Sequence, residues 1–146
     1  MTSQHLSPHF TLDELTVSET GARRGLDNTP GPEELANLRR IANLLEQVRA
    51  LTGKPIIVNS GYRSPAVNKA VGGSSTSAHM TGLAADINCP GIKPAALAAI
   101  IKCSTIQFDQ LILEYDSWVH IGLSSKAPRG QLLTIRSGTG YMQGLV

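Results

Sequence analysis

The sequence predicts an α+β fold, a small and mostly antiparallel sheet with helices packed on it. Three observations point there. Apolar residues at three- and four-residue intervals concentrate in the first part of the chain. Short apolar runs bounded by turn residues fill the second part, and a single further helical stretch interrupts them. With 146 residues, 41% of them hydrophobic, and no internal repeat, the chain reads as one soluble domain over 1–146, its core at about 10–136.

The elements follow in order. Thr11-Leu12-Asp13-Glu14 has capping-box spacing and starts a short helix, with Phe10 as the apolar residue before it. Ser18 to Gly31 is glycine-rich and polar and is expected to be a surface loop. Pro32 opens the clearest helix, in which Leu35, Leu38, Ile41, Ala42, Leu45 and Val48 form one stripe. It should end near Thr52-Gly53, because Pro55 prevents continuation. Ile56-Ile57-Val58 reads as a short buried strand, and Ser64-Pro65 as an N-cap with proline at the first helical position. Val71-Gly72-Gly73 stops that helix, and Gly72 to Thr81, small and polar, is a loop. Leu83 to Asn88 is a strand, and Pro94 opens a helix to about Lys102. Leu111-Ile112-Leu113 and Trp118-Val119-His120-Ile121 are strands with Tyr115-Asp116-Ser117 turning between them, and a last strand covers about Leu132 to Ile135.

Bulk properties exclude several roles. A net charge of +2 with dispersed basic residues, the densest being Arg23-Arg24 and Arg39-Arg40, does not describe a nucleic-acid binder. No apolar run approaches the ~18 residues of a membrane span. Met1-Thr2-Ser3-Gln4-His5 lacks the basic-then-apolar pattern of a signal peptide, so synthesis in the cytoplasm is expected. A monomer is expected. Cys89 and Cys103 are read as two buried free thiols rather than a disulfide or metal ligands.

The chemistry lies in Ser77-Ala78-His79-Met80-Thr81-Gly82-Leu83-Ala84-Ala85-Asp86, answered downstream by Glu114 and Trp118-Val119-His120-Ile121. Singly, each has a bland reading: His120 as a packed core histidine, Asp86 as a cap or salt-bridge partner, His79 as an exposed loop residue. Strand alternation puts Ala84, Asp86 and Asn88 on one face and Trp118 with His120 on one face of the later strand. If those strands are neighbours, Asp86 and His120 converge, and His79 reaches the same point from the loop. Two imidazoles and a carboxylate are the ligand set of a catalytic Zn²⁺ with an open fourth position, leaving Glu114 as the acid to act on water. His5 and His9 have no such companions and are read as structural. No Gly-x-Ser-x-Gly elbow or Gly-Lys-Ser/Thr phosphate loop is present.

The spacing Ser-x-His-x-x-Gly-x-Ala-x-Asp, carried by Ser77, His79, Gly82, Ala84 and Asp86, resembles the zinc site of the D-alanyl-D-alanine carboxypeptidase family of metallopeptidases, M15. Trp118-Val119-His120 resembles that family's second motif, and Ser60-Gly61-Tyr62-Arg63-Ser64 with Asn68 resembles the segment upstream of its ligands. The likeness runs from about Phe10 to Leu123. It implies a fold shared with hedgehog signalling domains, one zinc ion per chain held by His79, Asp86 and His120, and peptide-bond hydrolysis in bacterial peptidoglycan. Many members place the catalytic acid three residues before the last histidine, where this chain has Ser117. Here Glu114 stands six before it, the hedgehog-like spacing, and Asp116 four before it; Glu114 is assigned as base and Asp116 as a turn residue.

Arg63 is expected to clamp a stem-peptide carboxylate through its planar guanidinium, with pairing to a nearby acid as the alternative. Ser77 and Tyr62 are expected either to hydrogen-bond substrate or to serve as scaffold. The expected role is that of a phage or prophage endolysin, released from the cytoplasm onto the wall. A host wall enzyme ranks second. The rival from another class is a non-catalytic, zinc-stabilised binding domain of hedgehog type.

Overall fold

The computed structural model describes residues 4–146. Residues 1–3, on which part of the reading of the N-terminus rests, lie outside the described residues. The chain divides into two compact units, one built from the chain up to Glu46 with Ser60–Ala85, the other from Gln47–Asn59 with Asp86–Val146.

The first unit opens with an antiparallel pair, β1 (His5–Ser7) and β2 (Phe10–Thr11), too short for alternation to announce it. Thr11 then caps α1 (Leu12–Thr16) with the expected reciprocal bonds, Glu14 N–H to Thr11 Oγ1 at 3.2 Å and Thr11 N–H to Glu14 Oε1 at 3.2 Å. The expected loop from Ser18 instead contains α2 (Glu19–Arg24). The signal was present but short: Ser18 Oγ accepts from Gly21 N–H at 3.0 Å, and Gly25 closes the helix in the left-handed region. Then α3 (Pro32–Thr52) runs as expected, with Leu38, Ile41, Ala42, Leu45 and Val48 fully buried. Ser64 caps α4 (Pro65–Ala70), whose Val67 is buried. The expected loop before Gly82 contains a 3₁₀ turn, Ala78–Thr81, capped by Ser77. A single turn of this kind is too short to leave a periodic signal.

The strands form a larger sheet than expected, six strands in the order β3 (Ile57–Ser60), β4 (Ala84–Asn88), β6 (Trp118–Gly122), β5 (Gln110–Glu114), β7 (Gln131–Ile135), β8 (Met142–Gln143). The unforeseen β8 has two residues, too few to show period-two patterning. β5 pairs antiparallel with β6 and parallel with β7, and β7 pairs antiparallel with β8. The first strand is not the buried run expected: Ile56 is buried, but Ile57 is 49% exposed, because β3 is an edge strand.

Helix α5 (Pro94–Lys102) packs on β5 and β6 through Leu97, Ala98 and Ile101. Cys89 is a buried free thiol as expected, whereas Cys103 is exposed. It sits just past α5, off the stripe that continues Leu97 and Ile101 at four-residue steps.

Candidate metal centre

Asp86 sits in β4 and His120 in the adjacent β6, with His120 Nδ1 3.0 Å from Asp86 Oδ1. Both side chains are mostly withdrawn from water, which an aspartate tolerates only beside a positive or hydrogen-bonding partner. His79 is 2% exposed and enters from the 3₁₀ turn. One ligand atom from each of His79, Asp86 and His120 lies within 4.8 Å of the others. The structure therefore brings together the three residues that the spacing singled out.

His79 is oriented by main chain. Its Nδ1 lies 2.7 Å from the carbonyl oxygen of Gly61, to which it donates as Nδ1–H, so the lone pair falls on Nε2. Metal-ligating histidines usually carry such an outer bond, which fixes the tautomer and the ring plane. The other main-chain ties are Arg63 N–H to His79 O at 3.0 Å and His79 N–H to Ser77 Oγ at 3.2 Å. Gly82 ends the turn at φ +77, where a Cβ would meet the Glu34 carbonyl oxygen at 2.6 Å. Only glycine can turn the chain from His79 into β4 at that point.

The segment Gly61-Tyr62-Arg63-Ser64 hangs on one side chain that sequence reasoning passed over. Asn28 Nδ2 donates to Thr16 O at 2.6 Å and Tyr62 O at 3.0 Å, while its Oδ1 accepts from Ser64 N–H at 2.7 Å. Asparagine in a polar stretch carries no pattern, so only the structure could reveal it. Arg63 Nη2 lies 3.4 Å from Ser77 Oγ, which brings two of the residues expected at the substrate together. Tyr62 is only 5% exposed, its phenol pushed up by burial and by the Glu34 and Asp27 carboxylates.

Glu114 ends β5, opposite Trp118; His120 lies two residues further along β6, opposite Ile112. Register therefore puts Glu114, Trp118 and His120 on one face, with the Glu114–His120 diagonal of the order of 7–8 Å. Glu114 Oε1 accepts from Trp118 Nε1 at 2.7 Å, a partner that went unnoticed because tryptophan read only as part of the motif. The turn is tight: Ser117 N–H donates to Glu114 O at 3.0 Å, and Tyr115 and Asp116 stand at φ 56 and 52. That mirror-image geometry matches strand twist in hairpins. Asp116 is engaged elsewhere, by a two-point pair with Arg136 at 2.8 and 3.0 Å that holds its carboxyl below the usual range. His9, read as structural, is bound to Glu46 at 2.7 Å.

Two imidazoles and a carboxylate at this spacing suit a zinc ion with an open position, and the tautomer of His79 is the one a ligand requires. Comparison with known proteins agrees. Residues 8–122 match the family described as Peptidase M15. Over 49 residues the chain is 49% identical to the zinc D-Ala-D-Ala carboxypeptidase of Streptomyces albus G. That stretch is 34% of this chain and 19% of the relative, so the likeness spans about a fifth of that enzyme.

Proposed function

The chain belongs to the M15 peptidase family, and on that premise we propose that it is a zinc-dependent peptidase cutting a peptide bond in the stem peptides of bacterial peptidoglycan. The observation that carries the reading is the convergence of His79, Asp86 and His120. The name of the Streptomyces relative supports both the metal and the D-alanyl substrate class. A zinc ion held there supplies Lewis acidity at the scissile carbonyl and brings the pKa of water to ~7.

The chain's own residues do the rest. Glu114 takes the proton from the attacking water and returns it to the leaving amine, a contribution of ~10²–10⁴-fold. The Trp118 indole N–H donates to one oxygen of that carboxylate and orients it. Arg63 clamps a substrate carboxylate, and Ser77, beside it, hydrogen-bonds the peptide or steadies the guanidinium. Tyr62 takes the scaffold role, its buried ring fixing the segment that presents Arg63. Such an enzyme meets its substrate in the wall, where the proposed role is lysis of the endolysin kind. No helix of the described residues is long and apolar enough to cross a membrane.

The test is mass spectrometry of purified muropeptides digested by zinc-loaded protein and by Glu114→Gln. Wild type is expected to release fragments at one stem-peptide bond, and Glu114→Gln to retain zinc while losing ~10²-fold or more in turnover. Asp116→Asn should cost far less. Intact muropeptides with wild type would overturn the peptidase reading and favour a zinc-stabilised binding domain. An active Glu114→Gln beside a dead Asp116→Asn would exchange the two roles.

A further inference from the structure

The family match stops at residue 122, yet the sheet continues beyond it and returns a side chain to the face that carries Glu114. The pairings Leu133↔Gln143 and Thr134↔Met142 leave Tyr141 immediately before β8, on the side of Ile135 at the end of β7. Ile135 is the partner of Glu114, and Glu114 the partner of Trp118. Residues in one cross-strand row point to one face, so Trp118, Glu114 and Ile135 form a row beside that of His120, and alternation back from Met142, the partner of Thr134, turns Tyr141 towards that same face. Tyr141 is 59% exposed, an aromatic ring left open to water. Partial burial raises its phenol, and the charges of Glu114, Tyr115 and Asp86 raise it further.

The segment bearing Tyr141 is tied at both ends. Arg136 and Thr139 exchange bonds, Arg136 N–H to Thr139 Oγ1 at 2.9 Å and Thr139 N–H to Arg136 O at 3.1 Å. Past the tyrosine, Gly144 N–H reaches Leu132 O at 2.8 Å, and Gly144 O accepts from Thr134 Oγ1 at 2.8 Å. Arg136 also donates to Val146 O at 2.6 Å while holding Asp116 in the turn beside Glu114. The ring is thus held on a fixed segment and left open to solvent.

We propose that Tyr141 is a substrate-binding residue of this site, its phenol O–H donating a hydrogen bond to a carbonyl or carboxylate oxygen of the bound stem peptide. The proposal rests on the peptidase reading above. A rim residue of this kind holds substrate equally in the ground and transition states, so its loss raises KM and leaves kcat.

The probe is a synthetic stem pentapeptide ending in D-Ala-D-Ala. Tyr141→Phe removes only the hydroxyl and is expected to raise KM about 3–10-fold with kcat within about twofold, the range of one net hydrogen bond. In the zinc-loaded Glu114→Gln background, calorimetric Kd should rise by the same factor on adding Tyr141→Phe. Zinc content and Tm should not move. Unchanged KM and Kd in Tyr141→Phe, a fall in kcat at constant KM, or a loss of zinc or Tm would each overturn the assignment. A wild-type protein that neither binds nor cuts the peptide would overturn the peptidase reading itself, and this assignment with it; a peptide that wild type binds separates the two failures.

Discussion

Replacing Gly61 by alanine tests how the fold reaches the metal centre. A Cβ on Gly61 would stand 2.3 Å from the carbonyl oxygen of Leu15, about 1 Å inside the 3.4 Å at which ordinary contact begins. Leu15 is fully buried, and its carbonyl already accepts from Tyr62 N–H at 2.7 Å, so it cannot turn away without breaking that bond. Overpacking of this kind costs ~1–3 kcal/mol. At about 3 °C per kcal/mol for a chain of this size, Tm should fall by about 3–10 °C. The same residue's carbonyl orients His79 at 2.7 Å, and loss of an outer-shell bond typically lowers metal affinity ~10–100-fold. Thermal denaturation with and without zinc, and competition against a chromophoric chelator, read the two effects separately. Gly140→Ala is the control, since a Cβ there meets nothing within 4 Å. A Gly61→Ala protein with wild-type Tm would refute the packing argument. Lowered Tm with undiminished zinc affinity would refute the role of the carbonyl in holding His79.

Two further outcomes follow from the geometry. Arg63→Lys keeps the charge but removes the two-point fork, so kcat/KM on stem peptides should fall ~10-fold or more while zinc content and Tm stay near wild type; a lower Tm with normal specific activity would mark Arg63 as a structural ion-pair partner. Asp109 accepts from Arg129 Nε at 3.0 Å and Nη2 at 2.8 Å, and those bonds hold its carboxyl below the usual range. A carboxylate whose folded pKa is lowered contributes stability at pH values above its unfolded pKa of ~3.9. It loses that contribution as pH falls through ~3.9 towards the lower folded value. Urea midpoints of wild type and Asp109→Asn should therefore differ at pH 6, and the difference should shrink as pH falls below ~3.9; a constant difference would refute the linkage.

Much of this was legible in the sequence, for reasons that particular residues show. Proline at a helix start fixed the openings of α3, α4 and α5 because its locked φ suits that position. Asp86 and His120 were readable because strand alternation is a strict period of two, and a charge on an apolar strand demands a partner. What escaped was held by single contacts or by elements too short to repeat a pattern. Ser18 announced α2 as clearly as Thr11 announced α1, but six residues leave no stripe. Asn28 acts through main-chain groups at positions 16, 62 and 64, and such long-range bonds have no signature in local order. The pairing of β8 with β7 left no trace in the sequence, because a two-residue strand cannot show a period of two.

The choice of base shows how the turn and the C-terminal segment work together. Glu114 and Asp116 are two residues apart, and chemistry alone does not separate them. The turn supports the proposed choice, because Glu114 is still in β5 and shares the face of His120, whereas Asp116 lies in the left-handed region at the tip. A non-glycine residue there costs ~1–2 kcal/mol, less for aspartate, whose short side chain tolerates it. Tyr115 bears the same strain and packs its ring at 5.6 Å from that of Trp118, the residue that holds the Glu114 carboxylate. Arg136 pairs with Asp116, and its Nη2 also donates to Val146 O at 2.6 Å. One arginine outside the family match thus ties the turn that positions Glu114 to the segment that presents Tyr141. An Arg136→Ala protein should accordingly lose affinity for the stem peptide before it loses zinc, because the bonds of that arginine go to Asp116 and Val146.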